Sequence, residues 1–211
     1  FVLDGGKRAS NYFFVSFQEN DSTVWFGNRG YGAYKMDTHT CELTPCRIDG
    51  VVKNQMVNDI FAIYKNNEGY WFGTSYGLAR LFQDKYRVYN EMDGFPNNTI
   101  HGILEGKDNH LWLSTNQGVV RFNVQDNTVQ TYRQQSGLSV TEFSDGAFFK
   151  DEHTGTLFFG GTNGFITISE NERSSEEYMP ELYFNRLSIF GKEYNIYDFL
   201  KGGRKEELVL D

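Results

Sequence analysis

Three prolines in 211 residues are too few for a proline-rich disordered chain. Two cysteines, Cys41 and Cys46, cannot make a disulfide framework. Their spacing leaves two readings open: a turn closed by one disulfide, or two unpaired thiols on an outer strand. No nearby histidine or cysteine completes a metal set with them. The four histidines, His39, His101, His110 and His153, form no His-Glu-x-x-His pattern. No apolar run approaches the roughly 18 residues of a membrane helix. There is no secretory leader pattern. The chain starts at Phe1, without Met, inside strand-rich sequence, so we expect a piece of a longer protein with targeting and membrane segments elsewhere. Basic residues are also short: 20 against 28 acidic, a net charge of −8. Such a chain suits neither nucleic acid nor an anionic membrane surface.

What the chain has is aromatic residues and glycine. Aromatics make up 17%, with 19 Phe and 13 Tyr, and there are 22 Gly. The first favours strands and the second tight turns. They are organised as a repeat. Trp25-Phe26-Gly27-Asn28-Arg29-Gly30-Tyr31-Gly32 returns as Trp71-Phe72-Gly73-Thr74-Ser75-Tyr76-Gly77-Leu78. It returns again as Trp112-Leu113-Ser114-Thr115-Asn116-Gln117-Gly118-Val119 and Phe158-Phe159-Gly160-Gly161-Thr162-Asn163-Gly164-Phe165. The spacings are 46, 41 and 46 residues.

Each copy has one grammar. A β-rich segment such as Ile60-Phe61-Ala62-Ile63-Tyr64 leads to a polar turn such as Asn66-Asn67-Glu68-Gly69. The aromatic strand follows, then a glycine turn, a third strand and a less regular fourth. Four antiparallel strands repeating in the forties predict β-propeller blades. The recurring Trp or Phe is expected to pack between adjacent blades. The repeats stop near Ile168. Ser169 to Glu177 reads as a polar linker, and after Pro180 the sequence turns apolar again.

The Trp-Phe-Gly-Thr-x-x-Gly-Leu repeat, preceded by Asn58-Asp59-Ile60-Phe61-Ala62-Ile63-Tyr64, resembles the regulator-propeller repeat of extracytoplasmic sensors in hybrid two-component systems, best represented in gut Bacteroidetes. The last copy resembles that family's closing blade through Glu142-Phe143, Ala147, Gly155, Leu157 to Phe165 and Pro180. Leu182 to Ile196 resembles the strand entering the family's tyrosine-rich, immunoglobulin-like module. Asn28 departs from the usual Thr, and Leu113-Ser114 from Phe-Gly. The resemblance implies an all-β chain: a partial β-propeller of four four-stranded blades over 1–178, then the start of a β-sandwich-like module over 179–211. The family's rings are similar to seven-bladed propellers, so four blades are expected to leave an apolar face open on the first and last. Such a chain is expected to form a homodimer or to close into a distorted small ring.

No nucleophile elbow, phosphate loop or kinase motif is present, and no cofactor is indicated. Catalytic residues and metal ligands are therefore expected to be absent from this segment. Strand alternation instead puts the turn between strands two and three at the same end as the loop entering strand one. That end gathers Arg29, Tyr31, Asn58, Tyr76, Asn98, Gln117, Glu142 and Asn163 as candidate ligand-binding residues. Rings beside amides, Arg and carboxylate suit a sugar. The family resemblance implies a periplasmic ectodomain segment of an inner-membrane sensor histidine kinase, binding a glycan or oligosaccharide and touching the membrane only through regions outside this chain. Two rivals stand beside it: a structural or dimerisation spacer of the same receptor, and a propeller-scaffold polysaccharide-degrading enzyme.

Overall fold

The computed structural model describes residues 12–134, 137–140, 142–170, 187–189 and 192–194. The chain divides into two compact units, 1–172 and 173–211. In the second unit the described residues are a short antiparallel hairpin, β16 (Leu187–Ile189) with β17 (Lys192–Tyr194). The rest of the segment expected to enter an immunoglobulin-like module lies outside the described residues.

The first unit is built from four antiparallel sheets in chain order. The first blade is β1 (Phe13–Asn20), β2 (Thr23–Asn28), β3 (Gly32–Asp37) and β4 (Leu43–Cys46). The second is β5 (Ile60–Asn66), β6 (Gly69–Thr74), β7 (Gly77–Phe82) and β8 (Lys85–Tyr89). The third is β9 (Ile100–Glu105), β10 (His110–Thr115), β11 (Gly118–Asn123) and β12 (Val129–Tyr132). The closing blade shows β13 (Phe143–Lys150), β14 (Leu157–Gly161) and β15 (Gly164–Ile168). Residues that would supply its fourth strand lie outside the described ones. Each strand pairs with the next, giving the predicted up-and-down blades of a propeller.

Three apolar clusters hold the blades together, one per seam, and each contains one tryptophan. Trp25 packs with Ile60, Ile63 and Phe72 of the second blade. Trp71 packs with Ile103, Leu111 and Phe122 of the third. Trp112 packs with Leu157, Phe159 and Ile166 of the closing blade. All three indoles are buried. Each buried indole N–H also needs an acceptor. Trp25 Nε1 donates to Glu19 at 2.7 Å, Trp71 Nε1 to Asn66 at 2.9 Å and Trp112 Nε1 to Glu170 at 2.6 Å. A cation from the third strand lies over each ring: Lys35 over Trp25, Arg80 over Trp71 and Arg121 over Trp112.

Polar bridges cross the seams at the same end. Glu19 accepts from Lys65 and Tyr70 of the second blade. Burial alone would raise its carboxyl, but the hydrogen bonds from Lys65, Trp25 and Tyr70 outweigh burial and pull it down to about 2. Glu105 of the third blade accepts from Tyr64 and Asn66 of the second.

Backbone approach explains the glycine of the Trp-Phe-Gly motif. A Cβ on Gly73 would lie 2.8 Å from the Ile100 carbonyl oxygen of the next blade. The third blade has Ser114 there instead. Its cross-strand partner is Gly102, where a Cβ would meet Phe148 of the closing blade at 2.7 Å. The departure at Ser114 is thus matched by a glycine across the ladder, where the second blade has the pair Ala62 and Gly73.

The four inner strands, β1, β5, β9 and β13, converge on one axis. A Cβ on Gly146 would lie 3.7 Å from the Phe14 carbonyl oxygen, so the first and last inner strands approach each other. On the closing blade, Phe149 of β13 is 63% and Phe165 of β15 65% exposed, and both rings lie tilted against Phe158. The two cysteines are unpaired, and Cys46 Sγ lies 2.8 Å from Tyr86 Oη across the first seam. Trp71→Ala should cost about 3–5 kcal/mol, because it empties a fully buried seam position. Phe165→Ser should stay within about 0.5 kcal/mol. Chemical denaturation of the two variants checks the contrast.

Candidate functional site

Strand reversal places the entry loops and the second-to-third strand turns at one end of the propeller, and backbone hydrogen bonds tie them together. Arg29 N donates to Tyr12 O, Ser75 N to Asp59 O, and Thr162 N to Glu142 O. Thr74 and Thr115 brace their own turns: each hydroxyl donates to the carbonyl of Gly77 or Gly118 and accepts from the amide of Tyr76 or Gln117. The Thr of Trp-Phe-Gly-Thr is therefore a turn support. Gly77 and Gly118 have φ of +118° and +104°, and a Cβ on either would strike the carbonyl oxygen of the fourth strand at 2.1 Å.

The eight residues nominated from sequence do not share one environment. Arg29, Tyr31, Gln117, Glu142 and Asn163 are exposed at this end. Asn163 reaches back to the Ser139 carbonyl at 3.5 Å. Tyr76 is half-buried against the first seam. Asn98 Oδ1 accepts from Glu91 N at 3.0 Å. Asn58 is buried, and its amide is committed on both sides to Ile48, accepting from the backbone N and donating to the O. It pins the loop that enters the second blade.

A cluster that the sequence did not nominate lies on the axis. The inner strands contribute one side chain each at nearly one level: Phe14 from β1, Phe61 from β5, His101 from β9 and Asp145 from β13. Phe14 meets Phe61 edge-on at 5.1 Å, and Phe61 stacks on the His101 ring at 6.0 Å and 26°. His101 Nδ1 lies 2.5 Å from Asp145 Oδ1, and its Nε2 lies 2.7 Å from Asn116 Oδ1 in the third blade's turn. The imidazole side chain is 12% exposed and the Asp145 carboxylate 33%. Burial disfavours the imidazolium, but the hydrogen bonds to Asp145 and Asn116 and the Asp145 charge outweigh it, so the pKa is raised. With an oxygen acceptor on each nitrogen, the doubly protonated ring satisfies both contacts.

At the opposite end, a cleft of about 460 Å³ opens between the second and third blades. It is lined by Tyr64, Lys65, Asn66, Asn67, Glu68, Glu105, Gly106, Asp108 and Asn109. Its Glu105 and Asn66 are already engaged in the seam. Among the described residues, no group of three or more His, Cys, Asp or Glu could hold a metal ion.

Residues 94–117, which run into the third blade's turn, match the family described as the two-component regulator propeller. A histidine kinase of Formosa agariphila is 26% identical over 236 aligned residues, covering 85% of this chain and 17% of that protein. An extracellular domain assigned to a hybrid two-component system of B. thetaiotaomicron superposes with a TM-score of 0.64 at 16% identity, over 78% of this chain and 23% of that one. A second such domain from the same organism gives 0.53 at 19% identity, over 75% and 28%. The match falls on the third blade, where the sequence resembles the regulator-propeller repeat, and the superpositions agree with the propeller fold. The chain spans only a small part of the length of each of these relatives.

The His101–Asp145 pair joins the third and closing blades, and its contribution depends on pH. The folded pKa lies above the unfolded value of about 6.5. Its stabilisation is therefore complete below about pH 6.5 and is lost as pH rises through the raised folded value. Side-chain NMR should show the His101 midpoint raised above the ordinary imidazole value, and Asp145→Asn should lower it. An unchanged midpoint in that variant would contradict the pairing.

Proposed function

We propose that this chain is a non-catalytic, ligand-sensing ectodomain segment of a membrane-bound hybrid two-component sensor histidine kinase. The observation that carries the reading is the alignment of most of the chain with one stretch of a histidine kinase. The regulator-propeller match and the superposition on two extracellular domains support it. In this reading the segment sits in the periplasm, and its ligand is a glycan or oligosaccharide. Ligand binding favours one of two arrangements of the propeller and the segment that follows it, within a dimer, and the bias equals the ligand's differential affinity for the two. The exposed Phe149 and Phe165 supply an apolar face that such an assembly could cover. Sedimentation velocity at rising concentration checks for the dimer, and a monomer throughout would remove it from the account.

The enzyme reading has one observation in its favour, the His101–Asp145 pair on the axis. The geometry weighs against it. A general base needs a free imidazole nitrogen toward its substrate, and both nitrogens here face protein oxygens. The pair bridges the third and closing blades.

Calorimetry on this chain and on the complete ectodomain, with one panel of neutral and acidic oligosaccharides, tests the reading. Binding by this chain, weakened about tenfold or more in an Arg29→Ala, Gln117→Ala double variant, is the expected outcome. Binding by the complete ectodomain alone would make this segment a spacer. Turnover of a polysaccharide would make it an enzyme.

A further inference from the structure

The axial cluster combines three features that occur together nowhere else among the described residues. Its aromatic rings run in sequence from Phe14 through Phe61 to His101. It holds an ion pair between two inner strands. Its polar groups sit at the loop end, half open to solvent. The other ion pair that crosses a seam, Glu19 with Lys65, lies at the opposite end under Trp25 and Tyr70.

The hydrogen-bond directions follow from the imidazole. A ring protonated on both nitrogens donates to Asp145 Oδ1 and to Asn116 Oδ1. The Asn116 amide is thereby oriented with its NH₂ group turned away from His101. Asp145 uses Oδ1 on His101 and keeps Oδ2 as an acceptor. The mouth of the axis thus presents a carboxylate acceptor and an amide donor on the two sides of one imidazole. Such a set matches a sugar hydroxyl pair, since each hydroxyl both donates and accepts. The Asp145 carboxylate lies 2.5 Å from the His101 imidazole and is the more exposed of the two, at 33% against 12%. A ligand carboxylate or sulfate entering the mouth would have to approach that carboxylate. A sugar without an acidic group avoids this cost.

We propose that the axial mouth formed by Asp145, Asn116, His101 and Phe61 is a saccharide subsite, and that the sugar residue it takes is neutral. Asp145 and Asn116 touch the sugar. His101 is a positioning residue that fixes both, and Phe61 holds the imidazole plane. This inference rests on the reading that the segment binds a glycan, and it deepens that reading by naming the subsite and the charge class.

The test is calorimetry on the 211-residue chain with cellohexaose, xylohexaose and maltohexaose as neutral probes, and with hexagalacturonate and a heparin-derived hexasaccharide as acidic ones. The expected result is binding of at least one neutral probe, a loss of about tenfold or more in Asp145→Asn and in Asn116→Ala, and little binding of the acidic probes. Circular dichroism and the Trp emission spectrum confirm that the variants are folded. A shift of the His101 ring resonances on adding the bound probe separates contact at the axis from a remote structural effect. Neutral-probe binding that is equal in wild type and Asp145→Asn overturns the subsite and leaves the sensing reading intact, as does binding confined to the acidic probes. Binding of no probe overturns both.

Discussion

A buried indole between two sheets is the constraint on which this fold depends. A propeller blade cannot bury its own faces, so each must be covered by its neighbour. Tryptophan supplies the largest apolar area for that purpose but brings an N–H that cannot be left unpaired out of water. The three seams meet this demand with three different acceptors, Glu19, Asn66 and Glu170. The acceptors then do more than cap the ring. Glu19 recruits Lys65 and Tyr70 from the next blade, and Asn66 is itself held by Glu105. Covering the indole therefore also fastens one end of each seam. The closing blade has Phe158 at this position, with no N–H to satisfy and Thr167 where the others carry a cation. Its face is accordingly aromatic without polar capping, and Phe149 and Phe165 are left open.

The opposite, loop-bearing end is where the inner strands carry the axial cluster. There the inner strands come close enough for side chains of different blades to meet: Phe14 reaches Phe61, and His101 reaches Asp145. The same convergence that closes four blades around one axis makes a polar cluster out of residues that are 44 positions apart in the chain.

The architecture was legible because its causes repeat. Trp25, Trp71 and Trp112 head equivalent strands, and Gly32, Gly77, Gly118 and Gly164 all occupy the left-handed turn position. The repeat also carries a cation: Lys35, Arg80 and Arg121 follow their tryptophans by nine or ten residues, directly opposite on the third strand. Asn58 shows why the candidate site was less legible. Its side chain lies in the expected entry loop, but the buried Ile48 backbone consumes its amide, and sequence position does not reveal burial. His101 and Asp145 were invisible for a different reason. His101 takes the inner-strand place that Phe61 holds in the second blade, so the repeat alone gives it no partner, and its meeting with Asp145 depends on how closely β9 and β13 approach. One local hint existed: His101 is a polar residue between the buried Ile100 and Gly102 on an inner strand.

The most direct measurement of the central claim is hydrogen exchange at the three indole N–H groups, read by NMR. If the seams are dry and the indoles are capped as described, all three protons exchange only through opening of the blades. They should be protected by orders of magnitude over a free indole, and their exchange should slow in step as the fold is stabilised. Exchange of any one of them at the rate of an exposed tryptophan, with the protein still folded, would contradict the account.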